Sequence, residues 1–266
     1  MDKITSLQNP KIKNLKRLEK ASERREQGLI LIEGLREAVL AKRAGYTIET
    51  IFVCEDILND QPGYPLAELN NVKEQYSITK AVYDSLAYRE TTEGVIATAR
   101  PRPHTLDSLQ LKADPLLLII EAVEKPGNLG AMLRTCDAAG VDAVIVCDPK
   151  TDVYNPNAIR SSVGTVFTNQ IAVCETAEAI AFLKARGIKS YAAELGATEL
   201  YFEKNFKTAS AVIVGTEATG LSKQWLDDAD EKIIIPMLGK IDSLNVSVSA
   251  AILLFEAVRQ RTKTSP

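Results

Sequence analysis

The sequence holds one histidine and four cysteines in 266 residues, and these scarcities remove several chemistries at the outset. His104 stands in R-P-R-P-H-T, a proline-broken stretch, which argues against a zinc site or a Ser-His-Asp relay. Cys54, Cys136, Cys147 and Cys174 are widely spaced and form no C-x-x-C pair. There is no secretory signal and no spanning apolar run, so the expectation is a reduced, cytoplasmic chain with no membrane partner. A nicotinamide-type G-x-G-x-x-G is missing as well. The formal net charge is −3, which excludes a histone-like protein that binds nucleic acid by bulk charge.

What is present is a core and a local charge asymmetry. Hydrophobic residues make up 45% of the chain, enough for one large domain or two smaller ones. The first 25 residues carry eight basic side chains against three acidic ones, a net of +5. Lys11, Lys13, Lys16, Arg17, Arg24 and Arg25 of that stretch are candidates for RNA phosphate contacts from a basic helical arm. A solvated amphipathic helix is the plainer alternative.

Apolar periodicity then gives two α/β segments. In the first, L-I-L-I-E (29–33), I-E-T-I-F-V (48–53), a strand from about Tyr76 and G-V-I-A-T-A (94–99) read as strands, with a helix over 35–44. Two prolines in A-R-P-R-P-H-T break the pattern, so a linker is expected over 101–112 between domains 1–100 and 113–266. In the second, strands are expected at 115–121, 141–146, 189–193, 211–215 and 232–236. Helices are expected at 128–139, 177–186 and from about Ser243 to Arg261. Its strands are apolar throughout rather than alternating, the pattern of a parallel sheet covered on both faces.

Ligands of open parallel sheets collect at the carboxyl ends of the strands, and three such ends carry unusual residues. E-K-P-G-N-L-G-A-M-L-R-T-C (124–136) places Asn128 at the start of a helix and Arg134 opposite its apolar stripe. Singly, Asn128 could be a helix cap and Arg134 a surface charge. A-V-I-V-G-T-E-A-T-G-L-S (211–222) approaches a phosphate loop, but Leu221 stands where the lysine belongs, which counts against an NTPase. Gly215 still permits close approach of backbone to a ligand, and Glu217 supplies an acceptor. The third end is I-I-I-P-M-L-G-K-I-D-S-L-N-V-S-V-S (233–249). It strings Ser243, Leu244, Asn245 and Ser247 along a helix start, more polar groups than capping alone requires. The helix that follows shows Leu244, Val248, Ala251, Phe255 and Val258 on one face.

Together, N-L-G-A-M-L-R (128–134), G-T-E-A-T-G-L-S (215–222) and I-P-M-L-G-K-I-D-S-L-N-V-S-V-S (235–249) resemble the motifs of the SpoU-type (TrmH-like) RNA 2′-O-ribose methyltransferases of the SPOUT superfamily, in order and spacing. F/L-I-E-G-x-R-E at 31–37 resembles that family's small substrate-binding domain, itself similar to RNA-binding ribosomal proteins. The resemblance implies a mostly parallel α/β sheet with a C-terminal trefoil knot, a rare topology that periodicity alone could not suggest. It implies S-adenosylmethionine as cofactor, held by Gly215, Ile235, Met237, Leu244, Asn245 and Ser247. It implies a catalytic set of Asn128, Arg134, Glu217, Ser243 and Asn245, no metal, and a homodimer paired through the knotted domains. The implied reaction is methyl transfer to a ribose 2′-hydroxyl, of ribosomal RNA in preference to transfer RNA. A non-catalytic RNA-binding protein of the same fold is the alternative that cofactor binding would separate. An arginine is a poor base at ordinary pH, so Arg134 is expected first of all to hold a phosphate or ribose oxygen.

Overall fold

The computed structural model describes residues 2–58, 62–87, 93–215 and 220–262. In chain order the elements are β1 (Asp2–Ile4), α1 (Pro10–Arg17), α2 (Ala21–Gln27), β2 (Ile30–Glu33), α3 (Leu35–Arg43), β3 (Ile48–Val53), β4 (Glu74–Ile78), α4 (Lys80–Asp84) and β5 (Val95–Ala99). There follow β6 (Leu116–Glu121), α5 (Pro126–Ala139), β7 (Ala143–Cys147), α6 (Pro156–Ser161), β8 (Ile171–Cys174), α7 (Thr176–Ala185) and β9 (Lys189–Ala193). The chain closes with β10 (Ser210–Val214), α8 (Lys223–Asp228), β11 (Glu231–Ile233) and α9 (Val246–Arg261). Contacts divide it into two compact units, Met1–Pro103 with Asp152–Thr168, and His104–Thr151 with Asn169–Pro266. The segment 152–168, which the sequence pattern placed with the second domain, thus packs with the first unit.

The first unit is built on a mixed sheet in the order β1-β4-β3-β5-β2. β1, β4 and β3 run parallel, and β5 is antiparallel to both of its neighbours. The basic N-terminal stretch is part of this unit rather than an arm. β1 pairs with β4, and Ile12, Leu15 and Leu18 are buried at helical spacing. Lysines between those positions make the stretch look solvated, but three apolar residues on one face are enough to dock a short helix. Ile4, Ile12 and Leu15 join Phe52, Ile78, Val82 and Ile96 in one apolar cluster. α6 packs beside β2, where Arg160 lies 3.9 Å from Glu33.

The second unit is a wholly parallel sheet in the order β11-β9-β10-β6-β7-β8. Every residue of β6, β7 and β10 is buried, which requires helices on both faces. α7 and α8 supply Ile180, Phe182, Leu183 and Trp225 to a cluster with Leu117, Ile119, Ile145 and Ile213. α5 and α9 pack on each other, and α9 packs on β6 and β10. The proline-broken segment is no free tether beyond residue 104. Leu109 is part of that same cluster, and the His104 carbonyl accepts the Val173 amide at 2.9 Å.

Three boundaries differ from the sequence pattern in ways that bear on function. α5 begins at Pro126, with Lys125 as cap, so Asn128 lies inside the first turn rather than at the cap; a first-turn proline was the signal for it. β11 stops at Ile233, with an isolated bridge from Ile234 to Leu200, leaving Ile235 and Pro236 in a loop. α9 starts at Val246 with Asn245 as its cap. Its inward face is Ala250, Leu253, Leu254 and Ala257, whereas Val248 and Phe255, on the other apolar stripe, are 45% and 47% exposed.

Candidate functional site

At the carboxyl ends of β9, β10 and β11 the loops enclose a cavity of about 620 Å³, where an open parallel sheet offers a crevice. Glu194, Leu195 and Gly196 line it from the β9 end, Gly215, Gly220 and Leu221 from the β10 end, and Ile235, Met237 and Ser243–Val246 from the chain after β11. The walls combine apolar side chains and backbone with the polar side chains of Ser243, Asn245 and Ser249, and Glu194 supplies a carboxylate. Among the described residues no hydrogen bond engages the backbone N–H of Ile235, Met237 or Leu244. Free amides beside apolar side chains suit a heterocyclic ligand recognised through backbone groups.

The glycines fix the shape of the β10 loop. A Cβ on Gly215 would sit 2.6 Å from the carbonyl carbon and oxygen of Gly220 and 2.7 Å from the Leu221 nitrogen. Gly220 has φ +66°, a left-handed conformation that a glycine adopts without penalty. The two ends of the loop therefore touch, and only a residue without a side chain lets them.

Polar residues of α5 and α9 meet at the helix starts. Asn245 accepts from the Ser247 amide at 3.0 Å and from the Ser247 hydroxyl at 2.6 Å, closing the α9 cap. Its Nδ2 donates to Asn128 Oδ1 at 3.3 Å. Asn128, Asn245 and Ser247 are thus brought together, as are Gly215, Ile235, Met237, Ser243, Leu244 and Asn245 around the cavity. Ser247 supports Asn245 without lining that cavity. Arg134 is exposed on α5, and its side chain has no partner among the described residues. Glu217 lies outside the described residues. Glu194 and Leu226 also line the cavity and were not singled out in the sequence. An acidic residue directly after a buried strand was the one available sign of Glu194.

Of the basic residues in the first unit, Lys13, Lys16 and Arg25 are exposed. Arg17 is exposed and pairs with Glu23 at 2.7 Å. Lys11 pairs with Glu74 at 2.8 Å and lies 4.7 Å from the Tyr76 ring centre; the Glu74 hydrogen bond raises its pKa. Arg24 is not available to RNA. It is 4% exposed, donates to the carbonyls of Leu18 and Glu19 at 2.8 and 2.7 Å, and pairs with Asp152. A buried guanidinium needs those acceptors, and here they tie the α1–α2 turn to the 152–168 segment. No group of three or more metal-ligating side chains occurs among the described residues.

Comparison with known proteins agrees with this geometry. Residues 115–255 match the family model described as the SpoU rRNA Methylase family, and residues 9–97 match the MRM3-like substrate binding domain. The 23S rRNA (guanosine(2553)-2′-O)-methyltransferase RlmP of Bacillus subtilis (strain 168) is 31% identical over 255 residues, covering 96% of this chain and 98% of the relative. A crystal structure of an RNA 2′-O ribose methyltransferase superposes with a TM-score of 0.86 at 40% identity, over 97% of this chain and 99% of the other. The AdoMet-bound rRNA methyltransferase from Sinorhizobium meliloti superposes with a TM-score of 0.88 at 26% identity, over 98% and 99% of the two chains.

Proposed function

Because the chain belongs to the SpoU rRNA methylase family, we infer that it transfers the methyl group of S-adenosylmethionine to a ribose 2′-hydroxyl of ribosomal RNA. The observation that carries this reading is the cavity at the carboxyl ends of β9, β10 and β11, walled by the three sequence segments that follow those strands. Its volume, apolar side chains and unengaged amides suit an adenosyl group, and Glu194 offers a carboxylate for a ribose hydroxyl or an ammonium.

Bound S-adenosylmethionine supplies a methyl group already activated on a sulfonium, so the chain must place the ribose oxygen in line and manage its proton. Gly215, Ile235, Met237 and Leu244 hold the cofactor. Asn245, fixed by Ser247 and joined to Asn128, sets the polar edge of the site with Ser243, and Glu217 orients the substrate-facing groups. Arg134 binds the ribose oxygen or an adjacent phosphate and would stabilise the negative charge that develops as the 2′ proton passes to solvent. Lys11, Lys13, Lys16, Arg17 and Arg25 contact phosphates of the same RNA.

Two copies pair through the face of α9 that carries Val248 and Phe255. An apolar stripe left in solvent calls for a partner, and a second copy there would offer one to Arg134, which meets no partner among the described residues. The trefoil knot of the family is the expected path of the C-terminal segment. In its support, the loop 194–209 is held by Ile233 and Ile234 on one side and by Gln260 and Arg261 on the other. No helix among the described residues is long and apolar enough to cross a membrane, and a ribosomal RNA substrate places the protein in the cytoplasm.

The test is methyl transfer from labelled S-adenosylmethionine into unmodified ribosomal and transfer RNA, with products mapped as nuclease-resistant 2′-O-methyl dinucleotides. Label at one position of large-subunit ribosomal RNA is expected. Label in transfer RNA alone would reassign the substrate, and a protein that binds no cofactor would sink the enzymatic reading.

A further inference from the structure

The carboxyl group of Glu121 has no place in the reaction described above, and its surroundings are unusual. It is the last residue of β6, which lies between β10 and β7, and it is 4% exposed. No lysine or arginine pairs with it among the described residues. Its two oxygens are instead divided between separate segments. Oε2 accepts the backbone N–H of Ser222 at 2.7 Å, and Oε1 accepts the hydroxyl of Thr176 at 3.1 Å.

Both partners are anchored. The Thr176 amide donates to Asp148 Oδ2 at 3.2 Å. Ser222 directly follows Leu221, where the β10 loop closes on Gly215 with no room for a Cβ. Immediately beyond Glu121 the chain turns away, with Ala122 at φ +49° and its amide bonded to the Cys147 carbonyl at 2.8 Å. A left-handed alanine is costly and persists where its surroundings fix it. The carboxyl group therefore sits on a rigid strand end and grips a loop that lines the cofactor cavity.

A leucine would fill the same volume without the desolvation cost of a buried acid. It would also strand the Ser222 N–H and release the loop. We propose that Glu121 is a positioning residue for S-adenosylmethionine binding: through Ser222 it fixes Gly220 and Leu221, which line the cavity, without touching the substrate. This rests on the methyl-transfer reading of the cavity.

The experiment compares the full-length unaltered protein with E121A, E121Q and T176V. Cofactor affinity is measured by calorimetry, steady-state constants with RNA and S-adenosylmethionine, and the thermal midpoint by circular dichroism. E121A should weaken cofactor binding about tenfold or more, as expected for loss of a hydrogen bond to a buried charged group. KM for the cofactor should rise by a similar factor, with kcat at saturation and KM for RNA within about twofold. E121Q should restore most of the affinity, because its carbonyl can accept from Ser222 while its amide donates to the Thr176 hydroxyl. T176V keeps the Ser222 bond and should weaken binding less than E121A. Unchanged cofactor affinity in E121A would overturn the proposal. So would kcat falling together with the thermal midpoint while KM stays fixed, or an E121Q as impaired as E121A. If E121A does not fold, E121Q and T176V still decide the matter. An unaltered protein that binds no S-adenosylmethionine would refute the methyl-transfer reading itself, and this proposal with it.

Discussion

Replacing Gly215 with alanine isolates the geometry on which the cofactor cavity depends. Gly215 does not have a positive φ, so an alanine is acceptable there as backbone and the whole effect comes from space. The added Cβ would meet the Gly220 carbonyl carbon and oxygen at 2.6 Å and the Leu221 nitrogen at 2.7 Å. All three are backbone atoms and cannot rotate aside, so the loop ends must part by roughly 0.7–0.8 Å to reach ordinary contact. Overpacking of this kind costs about 1–3 kcal/mol. The displaced residues line the cavity and lead into Ser222, so much of that cost falls on the ligand-binding form. Cofactor affinity should drop about tenfold, the equivalent of roughly 1.4 kcal/mol, and the unfolding free energy by no more than about 3 kcal/mol. Calorimetric titration with S-adenosylmethionine and urea denaturation give the two numbers. G220A is the control, since a Cβ there meets nothing within 4 Å and adds only the strain of its left-handed φ. If G215A binds cofactor as tightly as the unaltered protein and unfolds at the same midpoint, the touching loop ends do not shape the site.

Arg134→Ala should abolish methyl transfer, by about a hundredfold or more, while cofactor affinity stays within about twofold; retained activity would remove Arg134 from the reaction. Phe255→Glu should convert a dimer to a monomer in analytical ultracentrifugation, because it places a charge in the exposed apolar stripe of α9; an unchanged sedimentation coefficient would place the interface elsewhere. His104 gives a pH signature. Burial lowers its pKa, opposed by its contact with the Ile171 carbonyl. Below the ordinary histidine value of about 6.5 the unfolded chain therefore takes up a proton that the folded one refuses. Its contribution to stability is complete above that value and is lost as pH falls toward the folded pKa. The carboxylates Glu74, Glu231 and Glu256 have lowered pKa values and act only below their ordinary range. Urea denaturation between pH 7 and pH 5 should thus show a decline that His104→Asn flattens; equal slopes in both proteins would refute it.

The parallel sheet was legible because its strands are apolar without alternation, and the β10 and β11 ends that line the cavity were legible because polar residues and glycine interrupt those runs; the β6 end, singled out with them, does not line it, and the β9 end was passed over. The cavity itself was not. It joins residues some fifty positions apart, from Ala193 to Ser249, and periodicity carries no information on which strand ends are neighbours. Strand order supplies that, with β11 placed outside β9 rather than beside β10. Arg24 shows the same limit in the first unit. In sequence it is one more cation in a basic stretch, and only the approach of Asp152, 128 positions away, turns it into a buried tie. Glu121 was passed over because an acid closing an apolar strand looks like ordinary punctuation. Its meaning lies in Ser222, 101 residues on.

Which face of α9 turns inward was not legible, for a general reason. From Val246 to Val258 the helix is apolar nearly all round, so two stripes fit the helical period equally well. Leu244, Val248, Ala251, Phe255 and Val258 form one; Ala250, Leu253, Leu254 and Ala257 form the other. The structure turns the second toward β6, β10 and α5. The deciding factor is size as much as hydrophobicity, since Ala250 and Ala257 permit close approach to the sheet while Leu253 and Leu254 fill the space between. A helix that is apolar all round belongs in a buried place, yet one copy of this chain covers only half of it. Val248 and Phe255 remain at 45% and 47% exposure on the helix whose cap, Asn245, borders the cavity. The surface that most needs covering therefore adjoins the cavity, and a second copy across α9 would cover it and offer a partner to Arg134, which has none among the described residues.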